Sequence, residues 1–179
     1  MASSPVYLTG VERFFEEDEL IASKTDPKGR VTYANDVFLR MAGFTEKEIL
    51  GQPHNVIRHP DMPRCVFKFL WDNISQGTEI FAYVINRSKN GDHYWVLAHV
   101  TATYGPNGKD IVGYHSSRRI PNREALKTII PLYASLCEEE AKHANGKEGM
   151  ASATQMILDT LDSLGVSYGQ LIYSLEGVE

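Results

Sequence analysis

Two turn signatures cut residues 80–119 into three short apolar strands and leave that stretch few alternatives. Lys89-Asn90-Gly91 separates Ile80–Asn86 from Asp92–Tyr104. Asn-Gly is the strongest short hairpin signal, because both residues tolerate the positive φ that a tight reversal needs. Gly105-Pro106-Asn107-Gly108 makes the next reversal, before Ile111–Arg119. The result is an antiparallel meander, which needs a second layer on its apolar face. Upstream, Leu20–Thr25 and Val31–Ala34 flank Asp26-Pro27-Lys28-Gly29, where proline early and glycine late predict another hairpin.

Short helices fill the interval between the hairpin and the meander. Asn35–Met41 puts Val37, Phe38 and Met41 on one side, and Gly43 stops it. Thr45-Glu46-Lys47-Glu48 has capping-box spacing and starts a second helix that ends at Gly51. Pro63–Gln76 reads as a full helix with Phe67, Leu70, Trp71 and Ile74 at helical spacing, closed by Gly77. Together these predict an α+β fold: a five-stranded antiparallel sheet with short helices on one face, closing over a pocket. The remainder is a helical extension. Arg123–Ala144 is expected to bend or break near Pro131. Glu148–Leu164 carries a stripe of Met150, Ala153, Ile157, Leu161 and Leu164. That stripe serves either as a partner or dimer surface, or packs internally on the sheet. Val166–Leu175 is open between a short strand and a loop. The expected organisation is an N-terminal cap over 1–17, the sheet domain over 18–120 and the extension over 121–179.

Composition excludes several classes. A net charge of −5 over 179 residues opposes general nucleic-acid binding, which needs a basic face. No run of 18 apolar residues exists, so direct membrane insertion is not expected. Met1–Gly10 lacks a charged-then-apolar leader pattern, which places the expected location in the cytoplasm. Cys65 and Cys137 are too few and too isolated for a disulfide framework or a zinc site, so no metal is expected. No paired carboxylates, nucleophile–base set or phosphate loop stands out, so the chain does not read as an enzyme.

The most distinctive segment is Asn55-Val56-Ile57-Arg58-His59-Pro60-Asp61-Met62-Pro63. Its two prolines oppose a helix and hold Arg58, His59 and Asp61 on a stiff, irregular stretch at the expected mouth of the pocket. Taken alone, such a cluster is better read as a solvated turn.

The order of motifs resembles a PAS domain of the aerotaxis-receptor kind over roughly residues 18–136. The matching phrases are Thr25-Asp26 with Tyr33-Ala34-Asn35, Gly51-Gln52-Pro53-His54-Asn55, and Arg58–Pro63. Asn86-Arg87 with Lys89–Trp95, Gly113-Tyr114 with Arg118, and Pro131-Leu132-Tyr133 continue the match. The resemblance implies a PAS sensor domain that holds a flavin, usually FAD, and reports redox state to the chemotaxis machinery. Typical aerotaxis receptors continue into a membrane anchor, a HAMP segment and a signalling domain. This chain ends before all three, so the expectation is a stand-alone PAS subunit. It would dock on a membrane-bound chemotaxis transducer of the methyl-accepting type, with a homodimer as a further arrangement.

The resemblance also implies cofactor contacts. Arg58, His59 and Asp61 match positions needed for FAD binding. Arginine offers a planar fork suited to a diphosphate or a flavin carbonyl, and Asp61 either orients His59 or caps the helix near Pro63. Asn86, facing with Val84 and Ala82, offers donor and acceptor to the flavin edge. Trp71 lies against the flavin or packs in the core, and Phe67 packs near the ring. Asn35 and Asn55 match family positions, with helix capping as the alternative for each. His115 is expected to point inward with Ser117, near flavin N5, its alternative being a partly exposed strand histidine. Light-sensing relatives use a cysteine in a different helix motif, which Cys65 does not match, so light-driven adduct formation is not expected. The rival readings are a haem-binding gas sensor using His54 or His59, and a ligand-free PAS dimerisation module.

Overall fold

A computed structural model describes residues 7–177. Its sheet contains β1 (Ile21–Thr25), β2 (Val31–Ala34), β3 (Ile80–Arg87), β4 (His93–Tyr104) and β5 (Ile111–Arg119). They lie in the order β2-β1-β5-β4-β3, and every neighbouring pair is antiparallel. β5 therefore returns to the centre and fuses the first hairpin with the meander. The register aligns Val84 with Val96, Ala98 with Arg118, and Ser116 with both Val100 and Ser23. Because side chains alternate along a strand, these residues share one face.

That face is covered by α1 (Asp36–Ala42), α2 (Glu46–Ile49), a 3-10 turn (His54–Ile57) and α3 (Arg64–Ile74). Asn35 caps α1 by accepting from the Phe38 N–H, and Gly43 ends it in the left-handed region at φ 73°. α2 has the full reciprocal capping box of Thr45 and Glu48. α3 buries Cys65, Val66, Leu70 and Ile74.

The extension is α4 (Arg123–Ala141), α5 (Gly146–Leu164) and α6 (Tyr168–Leu175). α4 packs on the other face of the sheet near its β3 edge. The Tyr133 hydroxyl donates to the Tyr83 carbonyl at 2.7 Å, and the Tyr133 and Trp95 ring centroids are 6.0 Å apart. Tyr83 in turn bonds the Glu176 carboxylate, and the Phe69 and Tyr168 rings meet at 4.9 Å. The buried apolar residues of sheet, α3 and extension form one continuous core. No helix among the described residues is long and apolar enough to cross a membrane.

Three expectations for the extension are corrected. α4 runs unbroken through Pro131, because Pro131 and Lys127, whose carbonyl loses its partner, both lie on the solvent side. Val166–Leu175 is neither strand nor loop. Ser167 and Gln170 form a reciprocal capping box that starts α6. Of the two readings of the α5 stripe, internal packing is the one found, but against α3 and α4 rather than the sheet: Ala153, Ile157 and Leu161 are buried there and Leu164 is exposed. The two helices approach closely at Gly149, where a Cβ would lie 2.4 Å from the Glu140 carbonyl oxygen. Residues 1–6 of the expected cap lie outside the described residues.

Candidate functional site

Between the sheet and α3 lies a cavity of about 310 Å³. Its floor is built from small or short side chains, Val84, Ala98, Val100, Ser23 and Ser116, which leave the space that larger residues would fill. Its wall is the α3 stripe Phe67, Leu70, Trp71 and Ile74, spaced i, i+3, i+4, i+7 so that all four project from one side. The mouth is framed by the solvent-exposed Lys28, Pro53 and Asn55. Trp71 stands edge-on to Tyr114 at 5.2 Å between centroids. Its ring also abuts Gly29, which sits at φ 77°, and a Cβ there would lie 3.0 Å from the indole. Gly29 thus serves both the β1–β2 turn and the close seating of the tryptophan.

Within this largely apolar space is a polar pole. Arg118 is only 4% exposed, and its Nη2 donates to Ser23 Oγ at 3.0 Å and to His54 Nε2 at 2.8 Å. The guanidinium also stacks over Phe38, 5.6 Å from the ring centroid. Burial lowers its pKa to about 10. Burial, and then the Arg118 charge, lower His54 to about 3, so His54 is neutral and its Nε2 acts as an acceptor. Three buried polar atoms on the cavity residues have no protein partner: Asn86 Nδ2, Ser116 Oγ and Arg118 Nη1. Each such atom costs about 1–3 kcal/mol when left unpaired, and folded proteins carry few of them. All three belong to residues that line the one cavity.

Asn86, Trp71, Phe67 and Asn55 line the cavity, as expected from the sequence. The other expected contacts do not. Arg58 stands behind the wall, stacked 5.6 Å over Phe67, and its Nη2 donates to the Met62 carbonyl at 3.1 Å. It buttresses the site, helped by the backbone bridge between Arg58 and Asn86. Burial lowers its pKa. His59 is buried away from the cavity, its Nδ1 accepting from the Asp61 N–H at 3.1 Å and its ring 5.7 Å from His93. Desolvation lowers its pKa as well. The Asp61 side chain is 78% exposed and caps nothing, though its carboxylate lies 3.6 Å from His59 Nδ1. Asn35 spends its side chain on backbone, accepting from Ala22 and Phe38 and donating to Leu20.

His115 corrects a direction. Tyr114, Ser116 and Arg118 face the cavity, so His115 and Ser117 face the opposite side of β5. The expected inward direction of His115 is thus one residue out of phase with the strand. An arginine and a serine two apart in a strand were the available sign that this face is lined for a polar ligand. Arg118, Ser116, Ser23 and His54 were all missed as contacts.

Glu140 was missed too. Pro63 supplies no side-chain cap to α3. The Glu140 carboxylate, from α4, does so instead, accepting from the Cys65 N–H at 2.8 Å and from Arg64 Nε at 3.0 Å. No group of three or more His, Cys, Asp and Glu is placed to hold a metal ion among the described residues.

Comparison with known proteins agrees with this geometry. Residues 31–115 match the PAS fold family. The aerotaxis receptor of Escherichia coli (strain K12) is 40% identical over 136 residues, covering 76% of this chain and 26% of the receptor. The nitrogen fixation regulatory protein of Klebsiella pneumoniae is 26% identical over 139 residues, covering 70% of this chain and 28% of that protein. The chain thus spans about a quarter of the length of these relatives. Among solved structures, the light-state structure of the blue-light photoreceptor Aureochrome1 LOV aligns with a TM-score of 0.54 and 24% identity. That alignment covers 62% of this chain and 88% of the other, and it speaks to the fold alone.

Proposed function

We propose that this chain, a PAS-domain protein of the aerotaxis-receptor type, binds FAD and reports cellular redox state to a chemotaxis transducer. The observation that carries the reading is the apolar cavity whose lining residues include three with an unpaired buried polar atom, Asn86 at one end and Ser116 and Arg118 toward the other. An isoalloxazine is a flat apolar tricycle with an acceptor-rich edge, and this site supplies complements to both parts. The α3 wall offers Phe67 and Trp71 to the ring faces, and Asn86, Ser116 and Arg118 offer donors to the edge. The volume lies at the low end of small-molecule sites, roughly 300–1,000 Å³, so the ribityl chain and nucleotide would extend past Asn55 and Lys28 at the mouth.

Bound flavin supplies reversible acceptance of electrons. The protein residues do the rest. The Ser23–His54–Arg118 bonds fix the guanidinium, so that a change of charge in the cavity acts on a preset donor rather than on a mobile one. α3 forms the wall, and Glu140 ties its N-terminus to the extension, which gives the wall a route outward. The proposed output is contact between the extension and a methyl-accepting chemotaxis transducer, through which the protein would sit at the membrane. It is the output of a sensor, not of an enzyme.

The haem reading loses support from the same bonds. His54 Nε2 already accepts from Arg118, and His59 is turned away from the cavity. The ligand-free reading predicts a cavity plugged by its own side chains, which the small floor residues oppose. The test is the absorbance spectrum of purified protein, followed by mass analysis of the released chromophore. Flavin absorption with the mass of FAD is expected. A colourless protein that takes up neither added FAD nor FMN, or one with a Soret band, refutes the proposal.

A further inference from the structure

Arg118 poses a problem that its neighbours do not solve. A guanidinium this deeply buried ordinarily faces a carboxylate. Among the described residues lining the cavity there is none. Its Nη2 is satisfied by two neutral acceptors, Ser23 and His54, which hold the group in place without cancelling its charge. Its Nη1 is buried and unpaired. The strand phase that puts Ala98 and Ser116 on the floor puts this charge beside them. The arrangement costs stability unless a negative group enters the cavity.

We infer that Arg118 is the counter-charge for a ligand group that carries or acquires negative charge, and that it favours the reduced over the oxidised form of the ligand. The inference rests on the flavin reading and extends it to the direction in which the protein shifts the potential. A donor of the reduced-nicotinamide class, or dithionite in vitro, gives up two electrons. From the nicotinamide they arrive with a proton as a hydride, and with dithionite the proton comes from water; either way the ring ends one unit more negative than before. Arg118 lines the cavity that would hold the ring, and its charge would offset that unit. It remains cationic, since burial lowers it only to about 10. The other titratable groups facing the space do not compete for the role. His54 lies at about 3, burial raises Tyr114, and Lys28 stands out at the mouth, while Tyr94, raised by burial to about 12, is buried without lining the space. α3 contributes only apolar side chains there.

The experiment is a dithionite titration against a reference dye, on the full chain loaded with FAD, for the wild type, Arg118→Gln and Arg118→Lys. Removing the charge should weaken binding of the reduced form relative to the oxidised form at least tenfold. For a two-electron couple this lowers the midpoint potential by about 30 mV or more. Arg118→Lys should recover at least half of the loss. Arg118→Gln that retains flavin with an unchanged potential overturns the inference. A second measurement needs no variant: the pH dependence of the wild-type potential between pH 5 and 8. One proton per two electrons gives about 30 mV per pH unit, the expected slope, whereas about 59 mV per unit means a neutral reduced ring and overturns the inference. A wild type that takes up no flavin defeats the underlying functional reading instead, and the two failures are thereby distinct.

Discussion

Replacing Glu140 by alanine should destabilise the fold by about 3 kcal/mol and loosen the cavity wall from more than one helix away. The magnitude follows from what the carboxylate touches. Glu140 is 6% exposed and accepts from the Cys65 N–H, a buried donor at the first turn of α3 that would be left unpaired, at about 1–3 kcal/mol. The negative charge also sits at the positive end of α3, which adds about 0.3–1 kcal/mol. The partner Arg64 is 40% exposed on its side chain, so the ion pair itself adds under about 1 kcal/mol. Glu140→Gln keeps an acceptor for Cys65 and should lose only about 1 kcal/mol. Urea unfolding followed by tryptophan fluorescence measures both variants. For a chain of this size the alanine variant should melt roughly 6–12 °C lower. The pH dependence gives an internal check. Burial pushes the Glu140 carboxyl up, but the Cys65 N–H and Arg64 outweigh it, and the net shift is below the ordinary 4.5. A depressed folded-state value contributes stability above 4.5 that is lost as pH falls through the folded value. Wild type should therefore lose stability more steeply than Glu140→Gln on the acid side of 4.5. If alanine costs less than about 0.5 kcal/mol, or if alanine and glutamine cost the same, the capping argument is wrong.

Further outcomes test other parts of the site. Gly29→Ala places a Cβ at positive φ against the Trp71 indole, so it should cost about 1–2 kcal/mol in unfolding assays and weaken FAD binding in fluorescence titrations. Asn86→Ala removes an unpaired donor and should weaken FAD roughly tenfold while leaving the melting temperature of the ligand-free protein within a degree or two. Asn35→Ala should do the opposite, costing about 2 kcal/mol of stability with flavin affinity of the folded protein unchanged. Blue-light illumination of flavin-loaded protein should leave the spectrum unbleached. Cys65 does not line the cavity, and burial raises its thiol to about 12.

Features specified by local rules were legible in the sequence. The Asn-Gly turn, the α2 capping box and the Phe67–Ile74 stripe all follow from interactions within a few residues, and each is found where it was expected. What was not legible depends on partners remote in sequence. Arg58, His59 and Asp61 lie together on a stiff segment, as the prolines require, but the segment is held by Asn86, His93 and Cys137, far along the chain, with His59 turned away from the cavity. The phase of β5 is set by pairing with β1 and β4, and a one-residue error there exchanged Arg118 for His115. Pro131 does not break α4, since it sits on the solvent side where the freed Lys127 carbonyl can meet water.

The first helix of the extension is pinned at two points far apart along its length. After Arg119 only three residues separate β5 from Arg123, and Arg123 is clamped by Glu12 at 2.6 and 3.1 Å. Near the far end, Glu140 grips α3. The nineteen residues of α4, which carry both anchors, make a helix about 28 Å long. A rod fixed at both ends does not slide along its axis. One end is tied beside the sheet and the other to the cavity wall, so a shift in either would bear on the same helix.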